Sequence, residues 1–263
     1  MRHMKFTVSI ICIGLMVVGL WSFQSTENKV ITFFLIGDST MADYPSYDED
    51  YMGKRYPMTG WGQVFPQMVS ENLWDLNIIN KDSIKVDNRA RGGRSTRTFF
   101  EEGRWSAVYK ALKPGDMVLI QFGHNDAAES KPERYVSVEG YKEYLRLFIS
   151  QTYDKGAKPV LITPVNRNYP WKDSKLLNSH EAYHLAATEI AEETGVILID
   201  LTQLSLELFT EKGQDYVTQN YFMNLPPGKY GAYPDGLEDN THFQPEGAAA
   251  VADLVIEALK SIR

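Results

Sequence analysis

The chain alternates short apolar runs with longer segments in which apolar residues recur every three or four positions. This alternation is typical of a parallel β-sheet that is covered by helices on both faces. The first run, VITFFLI at 30–36, has no polar alternation beyond Thr32, as expected of a central strand buried on both sides. Four more runs predict strands at 84–88, 117–122, 159–163 and 196–200. We therefore expect the α/β class, as a three-layer α/β/α sandwich with a five-stranded, mainly parallel sheet.

The helical spacing of apolar residues predicts helices at 141–155, 178–194, 202–212 and 246–262. No internal repeat or low-complexity linker interrupts the pattern, and so residues 26–263 are predicted to form a single domain. Two tyrosine-rich stretches, 43–60 and 214–238, do not fit it and are predicted to be long aromatic loops. Their tyrosines, and Trp61 between two glycines, either fill the core or offer stacking surfaces for sugar rings.

Residues 1–25 have the order of an export signal. Arg2 and Lys5 precede an apolar run that extends from 7 to 23. A retained membrane anchor is the alternative, because the run reaches the lower limit for a bilayer span. We therefore expect an exported protein, periplasmic or extracellular. Cys12 is the only cysteine and lies in this segment, so the rest of the chain can form neither a disulfide nor a thiolate metal site.

The residues that follow the predicted strands carry the chemistry, because ligands bind at the carboxyl ends of the strands in an open parallel sheet. The first strand ends at Gly37, a turn that would expose the hydroxyl of Ser39 as a nucleophile. Asp239 precedes His242 by three residues, just ahead of the last predicted helix. This spacing lets the carboxylate hold one imidazole nitrogen while the other nitrogen faces Ser39. We interpret Ser39, Asp239 and His242 as a catalytic triad.

Two further strand ends offer hydrogen-bond donors. A glycine pair, Gly92 and Gly93, follows the second predicted strand, and a glycine lets a backbone N–H approach a bound oxygen closely. Asn125 follows the third strand, and its side-chain amide could donate to the same oxygen. Together these groups predict an oxyanion hole.

Four segments carry a family resemblance: GDSTMA from residue 37, RGGRSTRTF from 91, GHND from 123 and DNTHF from 239. They resemble the four blocks of the SGNH (GDSL-like) hydrolases, and specifically those of the rhamnogalacturonan acetylesterase group, over residues 30–263. The resemblance implies a flavodoxin-like fold, with Ser39 as nucleophile and also as an oxyanion donor through its amide. Gly93 and Asn125 are then the other donors, although the glycine assignment can shift by one residue to Gly92.

The resemblance implies a carbohydrate esterase that removes O-acetyl groups from a plant cell-wall polysaccharide, rhamnogalacturonan. The residues themselves indicate only an ester hydrolase with a wide, aromatic and locally basic cleft. A lipase or thioesterase of the same family is the main alternative, and a non-catalytic carbohydrate-binding protein is another. We expect an acetylated polysaccharide or oligosaccharide as partner, no protein partner, a monomer, and no metal or organic cofactor.

Four arginines stand within fourteen residues of a chain whose net charge is −7: Arg91, Arg94, Arg97 and Arg104. The acidic balance disfavours nucleic acid as a partner. The arginines either pair with surface acids or bind uronate carboxylates, for which a guanidinium is well shaped. We therefore take Arg91 and Arg94 as candidate substrate-binding residues. His124 is a third candidate, with a supporting or substrate-contacting role rather than that of general base.

A second histidine pattern, H-E-x-x-H, spans His180 to His184 in a predicted helix and matches a zinc protease motif. A zinc site needs a third protein ligand, and the histidines left after the N-terminal segment, His124 and His242, already have neighbours or roles in the serine site. Glu207 stays open as a third ligand. We interpret the motif as a partly exposed helix face and keep a zinc hydrolase as an alternative.

Overall fold

The computed structural model describes residues 30–76 and 83–262, so the predicted signal at 1–25 lies outside the described residues. The strands are β1 (Val30–Gly37), β2 (Ser83–Asn88), β3 (Met117–Gln121), β4 (Lys158–Ile162), β5 (Trp171–Lys172), β6 (Lys175–Leu176) and β7 (Ile197–Ile199). Five of them form one sheet in the order β2-β1-β3-β4-β7, and every neighbouring pair is parallel. β5 and β6 form a separate antiparallel pair. The predicted five-stranded sheet is confirmed.

The helices are α1 (Tyr51–Lys54), α2 (Trp61–Glu71), α3 (Thr96–Glu101), α4 (Arg104–Ala111), α5 (Val138–Asp154), α6 (Glu181–Thr194), α7 (Leu201–Lys212), α8 (Gln214–Tyr216) and α9 (Pro245–Lys260). The four predicted helices correspond to α5, α6, α7 and α9. Pro245 begins α9 because its fixed φ suits a first helical turn, where its missing N–H costs no hydrogen bond. Across residues 30–76 and 83–262, no helix is both long and apolar enough to cross a membrane.

Two apolar cores lie on opposite faces of the sheet, because successive strand residues point to opposite sides. Phe33 and Leu35 of β1 pack with α2, α7 and α9, whereas Phe34 and Ile36 pack with α3, α4, α5 and α6. The same alternation in β3 sends Leu119 to the first core and Ile120 to the second. The predicted three-layer sandwich is confirmed, and the double burial explains the unbroken apolar run of β1.

The two tyrosine-rich stretches contain short helical turns and are therefore more ordered than the predicted loops. Residues 43–60 include a 3₁₀ turn at Tyr44–Ser46 and α1, and residues 214–238 include α8 and a π-helical turn at Val217–Tyr221. Trp61, at the start of α2, is fully buried and donates its indole N–H to Gln121 at 2.6 Å. Trp61 is thus a core residue and offers no surface for a sugar.

The start of α2 supports the loop that follows β1. The backbone N–H of Trp61 donates to the Thr40 carbonyl at 2.8 Å, and Asn88 at the end of β2 donates to the Met41 carbonyl at 2.9 Å. Gly62 allows this close approach, since a Cβ at Gly62 would lie 2.2 Å from the Met41 carbonyl oxygen. The backbone around residue 39 is therefore held by two neighbouring elements.

We expect Gly62→Ala to lower the free energy of unfolding by about 1–3 kcal/mol, because the added methyl meets backbone that cannot rotate away. Denaturant-induced unfolding followed by circular dichroism measures the change. Gly231→Ala is the matched control, since no heavy atom lies within 4 Å of a Cβ placed there. Equal stabilities of the two variants would contradict the close packing of α2 on this loop.

Candidate active site

Ser39, His242 and Asp239 form a hydrogen-bonded line, although 203 residues separate the first two in sequence. Ser39 follows β1, and its Oγ lies 2.9 Å from His242 Nε2. His242 Nδ1 lies 2.7 Å from Asp239 Oδ2. The other carboxylate oxygen of Asp239 accepts from the backbone N–H groups of Thr241 and His242, at 2.8 and 3.1 Å. The structure thus brings the three predicted triad residues together with the imidazole between the hydroxyl and the carboxylate.

The carboxylate of Asp239 fixes which imidazole nitrogen carries the proton. Partial burial raises its pKa, but the hydrogen bonds from His242 and Thr241 outweigh burial, so the pKa of Asp239 lies below its usual value. An ionised carboxylate accepts only, and His242 must therefore donate from Nδ1. The unprotonated Nε2 then faces the Ser39 hydroxyl, as a general base requires.

The predicted oxyanion donors lie around the same hydroxyl. Asn125 donates one amide hydrogen to the Arg94 carbonyl at 2.9 Å, which holds the side chain and leaves its second hydrogen for a ligand. A Cβ at Gly92 would lie 3.7 Å from the Ser39 Cβ, and Gly93 has a φ of +80° that favours glycine. Both glycines, Asn125 and Ser39 line one cleft.

Two buried carboxyl groups beneath the site were not identified by sequence reasoning, although each lies inside a recognised segment. Asp126 accepts from the Thr96 amide and hydroxyl at 2.9 and 2.6 Å and from the Gly123 amide at 3.2 Å. It therefore ties the start of α3 to the loop that carries Asn125. Asp38 accepts from the amide and hydroxyl of Thr40, both at 2.9 Å. Burial raises the pKa of Asp126 to about 7 and also raises that of Asp38.

The cleft at Ser39 has a volume of about 910 Å³ and carries a concentration of positive charge. The cations that line it are Arg55, Arg91, Arg94, Lys131, Arg134 and Arg167. Of the predicted substrate-binding residues, Arg91 lies 3.6 Å above the Tyr47 ring, whereas Arg94 pairs with Glu102 at 3.1 Å. The other two arginines of the cluster make surface ion pairs, Arg97 with Glu101 and Arg104 with Glu102.

His124 also lines the cleft but is almost completely buried. Burial, with the positive charge of Arg167 and the neighbouring His180, holds the pKa of His124 well below its usual range. Arg167 donates to the His124 carbonyl at 3.2 Å and approaches the ring Nδ1 at 3.4 Å. Because a guanidinium can only donate, the neutral ring presents an unprotonated Nδ1 to Arg167. His124 and Arg167 therefore hold the loop after β3 that carries Asn125.

The H-E-x-x-H histidines have separate environments, and the predicted partly exposed helix face is wrong for His180, which precedes α6 and is buried. His180 lies at the start of α6, buried against the His124 ring at 4.3 Å between centroids, and burial lowers its pKa to about 3. His184 contacts Asp200 at 2.9 Å and Asn178 at 3.0 Å. Among the described residues, no group of three or more His, Cys, Asp or Glu side chains could hold a metal ion.

Four cleft cations were not identified from the sequence: Arg55, Lys131, Arg134 and Arg167. All four lie outside the recognised segments, and the last three also lie far along the chain from Ser39. The topology of the sheet brings Lys131, Arg134 and Arg167 to the cleft, because β3 is the neighbour of β1, β4 is the neighbour of β3, and the loops after both strands open at the same carboxyl edge. The density of charged residues along the sequence therefore does not identify them as cleft residues.

Comparisons with known proteins agree with the fold and the segments. Residues 35–250 match the GDSL-like Lipase/Acylhydrolase family. "Probable rhamnogalacturonan acetylesterase YesY" of Bacillus subtilis is 39% identical over 87% of this chain and 92% of its own length. Rhamnogalacturonan acetylesterase RhgT of the same species is 37% identical over 89% of this chain and 91% of its own.

Solved structures include a similar fold. The crystal structure of YxiM from Bacillus subtilis superposes with a TM-score of 0.70 at 29% identity. The match covers 89% of this chain and 57% of the YxiM chain. The resemblance read from the four segments is thus confirmed, and the chain belongs to the GDSL-like lipase/acylhydrolase family, as a serine-type hydrolase of carboxylic esters.

Proposed function

We propose that the protein is an exported carbohydrate esterase, directed by residues 1–25, that removes acetyl groups from rhamnogalacturonan through Ser39, His242 and Asp239. The observation that carries the proposal is the hydrogen-bonded line of these three side chains on the wall of a wide cleft. The names of YesY and RhgT support an acetylated pectic polysaccharide as the substrate class. The polar and cationic lining of the cleft suits a carbohydrate better than a long acyl chain.

The first half of the reaction transfers the acetyl group to the enzyme. Ser39 Oγ attacks the acetyl carbonyl carbon while His242 Nε2 takes the hydroxyl proton, and Asp239 stabilises the resulting imidazolium. The carbonyl oxygen becomes an oxyanion that accepts hydrogen bonds from the Ser39 and Gly93 amides and from the Asn125 side chain. The bond between the acetyl carbon and the sugar oxygen then breaks, and His242 gives its proton to that oxygen.

The second half releases acetate. A water molecule attacks the acetyl-Ser39 carbonyl and gives a proton to His242 Nε2, and the same donors hold the second oxyanion. The ester bond to Ser39 Oγ breaks, and His242 returns the proton to Oγ. Atoms and charges balance without a redox step or a metal, because the nucleophile, the base and the oxyanion donors are all protein groups.

Acetate release from a panel of acetylated polysaccharides tests the proposal. We expect release from acetylated rhamnogalacturonan to exceed release from acetylated xylan, and hydrolysis of p-nitrophenyl acetate to exceed that of the octanoate about tenfold or more, because the cleft lining is polar. Faster cleavage of the octanoate would favour a lipase or thioesterase. Binding of the polysaccharide without acetate release would indicate a carbohydrate-binding protein.

A further inference from the structure

The cleft cations differ in how their charges are balanced. Arg55 and Arg94 have carboxylate partners, Asp48 at 2.6 Å and Glu102 at 3.1 Å. The other four have no carboxylate within ion-pair distance among residues 30–76 and 83–262, and they are Arg91, Lys131, Arg134 and Arg167. The chain has a net charge of −7, yet these four cations have no carboxylate partner in its described residues. This indicates that an anionic group of a ligand pairs with them.

Arg134 differs from Arg91 and Arg167, the other two cleft arginines without a carboxylate partner, in having no hydrogen-bond or ring partner for its guanidinium within the described parts of the chain. Arg91 lies on the Tyr47 ring, and Arg167 donates to the His124 carbonyl. In contrast, no described residue accepts a hydrogen bond from the Arg134 guanidinium, and its Nε is buried without a partner. Buried donors in folded proteins almost always have an acceptor, because leaving one unpaired costs the full desolvation penalty. The donors of Arg134 are therefore available to a bound ligand.

The guanidinium of Arg134 lies beside the oxyanion donors. Its Nη1 is 3.4 Å from the position that a Cβ of Gly93 would occupy. Gly92, the preceding residue, is the one whose Cβ would contact Ser39. An anion that binds Arg134 would thus lie next to the glycine pair, in the same cleft as an ester that reacts at Ser39.

We propose that Arg134 is a specificity-determining residue that binds a carboxylate on the acetylated sugar or on the sugar next to it. A guanidinium fork matches a carboxylate through two parallel hydrogen bonds, which supplies orientation as well as charge. Lys131, whose carbonyl accepts from the Arg134 amide at 3.0 Å, adds positive charge at the same loop. The inference rests on the proposed function and names the substrate carboxylate as the group that this cleft recognises.

A different role for Arg134 would be stabilisation of the oxyanion itself. In that role, loss of Arg134 would lower the rate of hydrolysis by the same factor for every ester, whether or not the substrate carries a charge. Carboxylate binding acts only on an anionic substrate and mainly on KM, because the carboxylate is not changed in the reaction. The two roles are therefore separated by comparing one acetylated sugar chain with and without its charge.

The test uses acetylated rhamnogalacturonan oligosaccharides with free uronate carboxylates and the same oligosaccharides after methyl esterification. For Arg134→Gln, we expect kcat/KM on the free acid to fall about tenfold or more beyond its fall on the methyl ester, mostly through KM. Arg134→Lys keeps the charge and should recover part of the difference. Arg146→Gln is the matched control, since Arg146 pairs with Glu143 and Glu193 on the α5–α6 surface.

Wild-type protein provides a measurement that does not depend on folding of a variant. We expect it to prefer the free acid over the methyl ester about tenfold or more, and this preference should shrink as sodium chloride is raised. Equal rates on both substrates, or equal losses for Arg134→Gln on both, would overturn the carboxylate subsite and leave the proposed function intact. Absence of acetate release from every oligosaccharide would overturn both.

Discussion

Replacement of Ser39 by alanine should lower kcat for ester hydrolysis by roughly 10³-fold or more, with KM little changed. In the proposed mechanism the hydroxyl forms the bond to the acyl carbon, and alanine leaves His242 Nε2 without a proton to take. The proposed oxyanion donors and the cleft remain, because the β-carbon of residue 39 keeps its place beside Gly92. Steady-state kinetics with p-nitrophenyl acetate and direct acetate release measure the effect.

Ser46→Ala is the control for this variant. Ser46 belongs to the same long segment between β1 and α2, and its exposed hydroxyl donates to the Asp43 carbonyl. Its loss should leave kcat within a factor of two or so, since surface substitutions usually have small effects. If Ser39→Ala kept as much activity as Ser46→Ala, the hydroxyl of Ser39 would not be the nucleophile.

The layout of the site was predictable because the chemistry lies at strand ends. β1 is buried on both faces, so it reads as an unbroken apolar run, and the first polar residues after it must be at the carboxyl edge of the sheet. The same reasoning placed Asn125 beyond β3 and the glycine pair beyond β2. His242 is positioned by the turn before α9, a helix whose apolar spacing is visible in the sequence and which begins at Pro245.

The features that the sequence did not predict either contain a residue that disfavours their secondary structure or depend on contacts between distant parts of the chain. Helix α2 contains Pro66, which normally ends a helix, and packing of Trp61 and Phe65 into the core compensates for the lost hydrogen bond. Asp126 looks like turn chemistry in the sequence, but its carboxylate caps α3 from 30 residues away. Arg134 could not be singled out, because the absence of a partner is a property of the folded chain.

The cleft also shows how an acidic protein could act on the anionic polysaccharide that we propose as its substrate. Surface arginines such as Arg97 and Arg146 pair with neighbouring glutamates, and solvent screens their charges, so they contribute little to the electrostatic field around the protein. Arg91 and Arg134 are held without such partners, within a concave wall where their field is focused. For the proposed substrate, we therefore expect local charge at the cleft, rather than the net charge of −7, to govern its approach.

Asp239→Asn tests the other half of the triad, because it changes the tautomer of His242 while keeping the shape of the site. The asparagine oxygen can still accept from the Thr241 and His242 amides, as Asp239 does now at 2.8 and 3.1 Å. Its amide nitrogen would then face His242 Nδ1 and donate to it. Nδ1 becomes an acceptor, the imidazole proton moves to Nε2, and Nε2 can no longer take the Ser39 proton.

We expect Asp239→Asn to lower kcat by roughly 10³–10⁴-fold with little change in thermal stability. Asp200→Asn is the matched control, because Asp200 also pairs with a histidine, His184 at 2.9 Å, but neither residue lines the cleft. The control should keep most of the activity, which would show that a lost Asp–His pair matters only where the histidine faces the nucleophile. Comparable activity of the two variants would mean that Asp239 does not set the tautomer of the base.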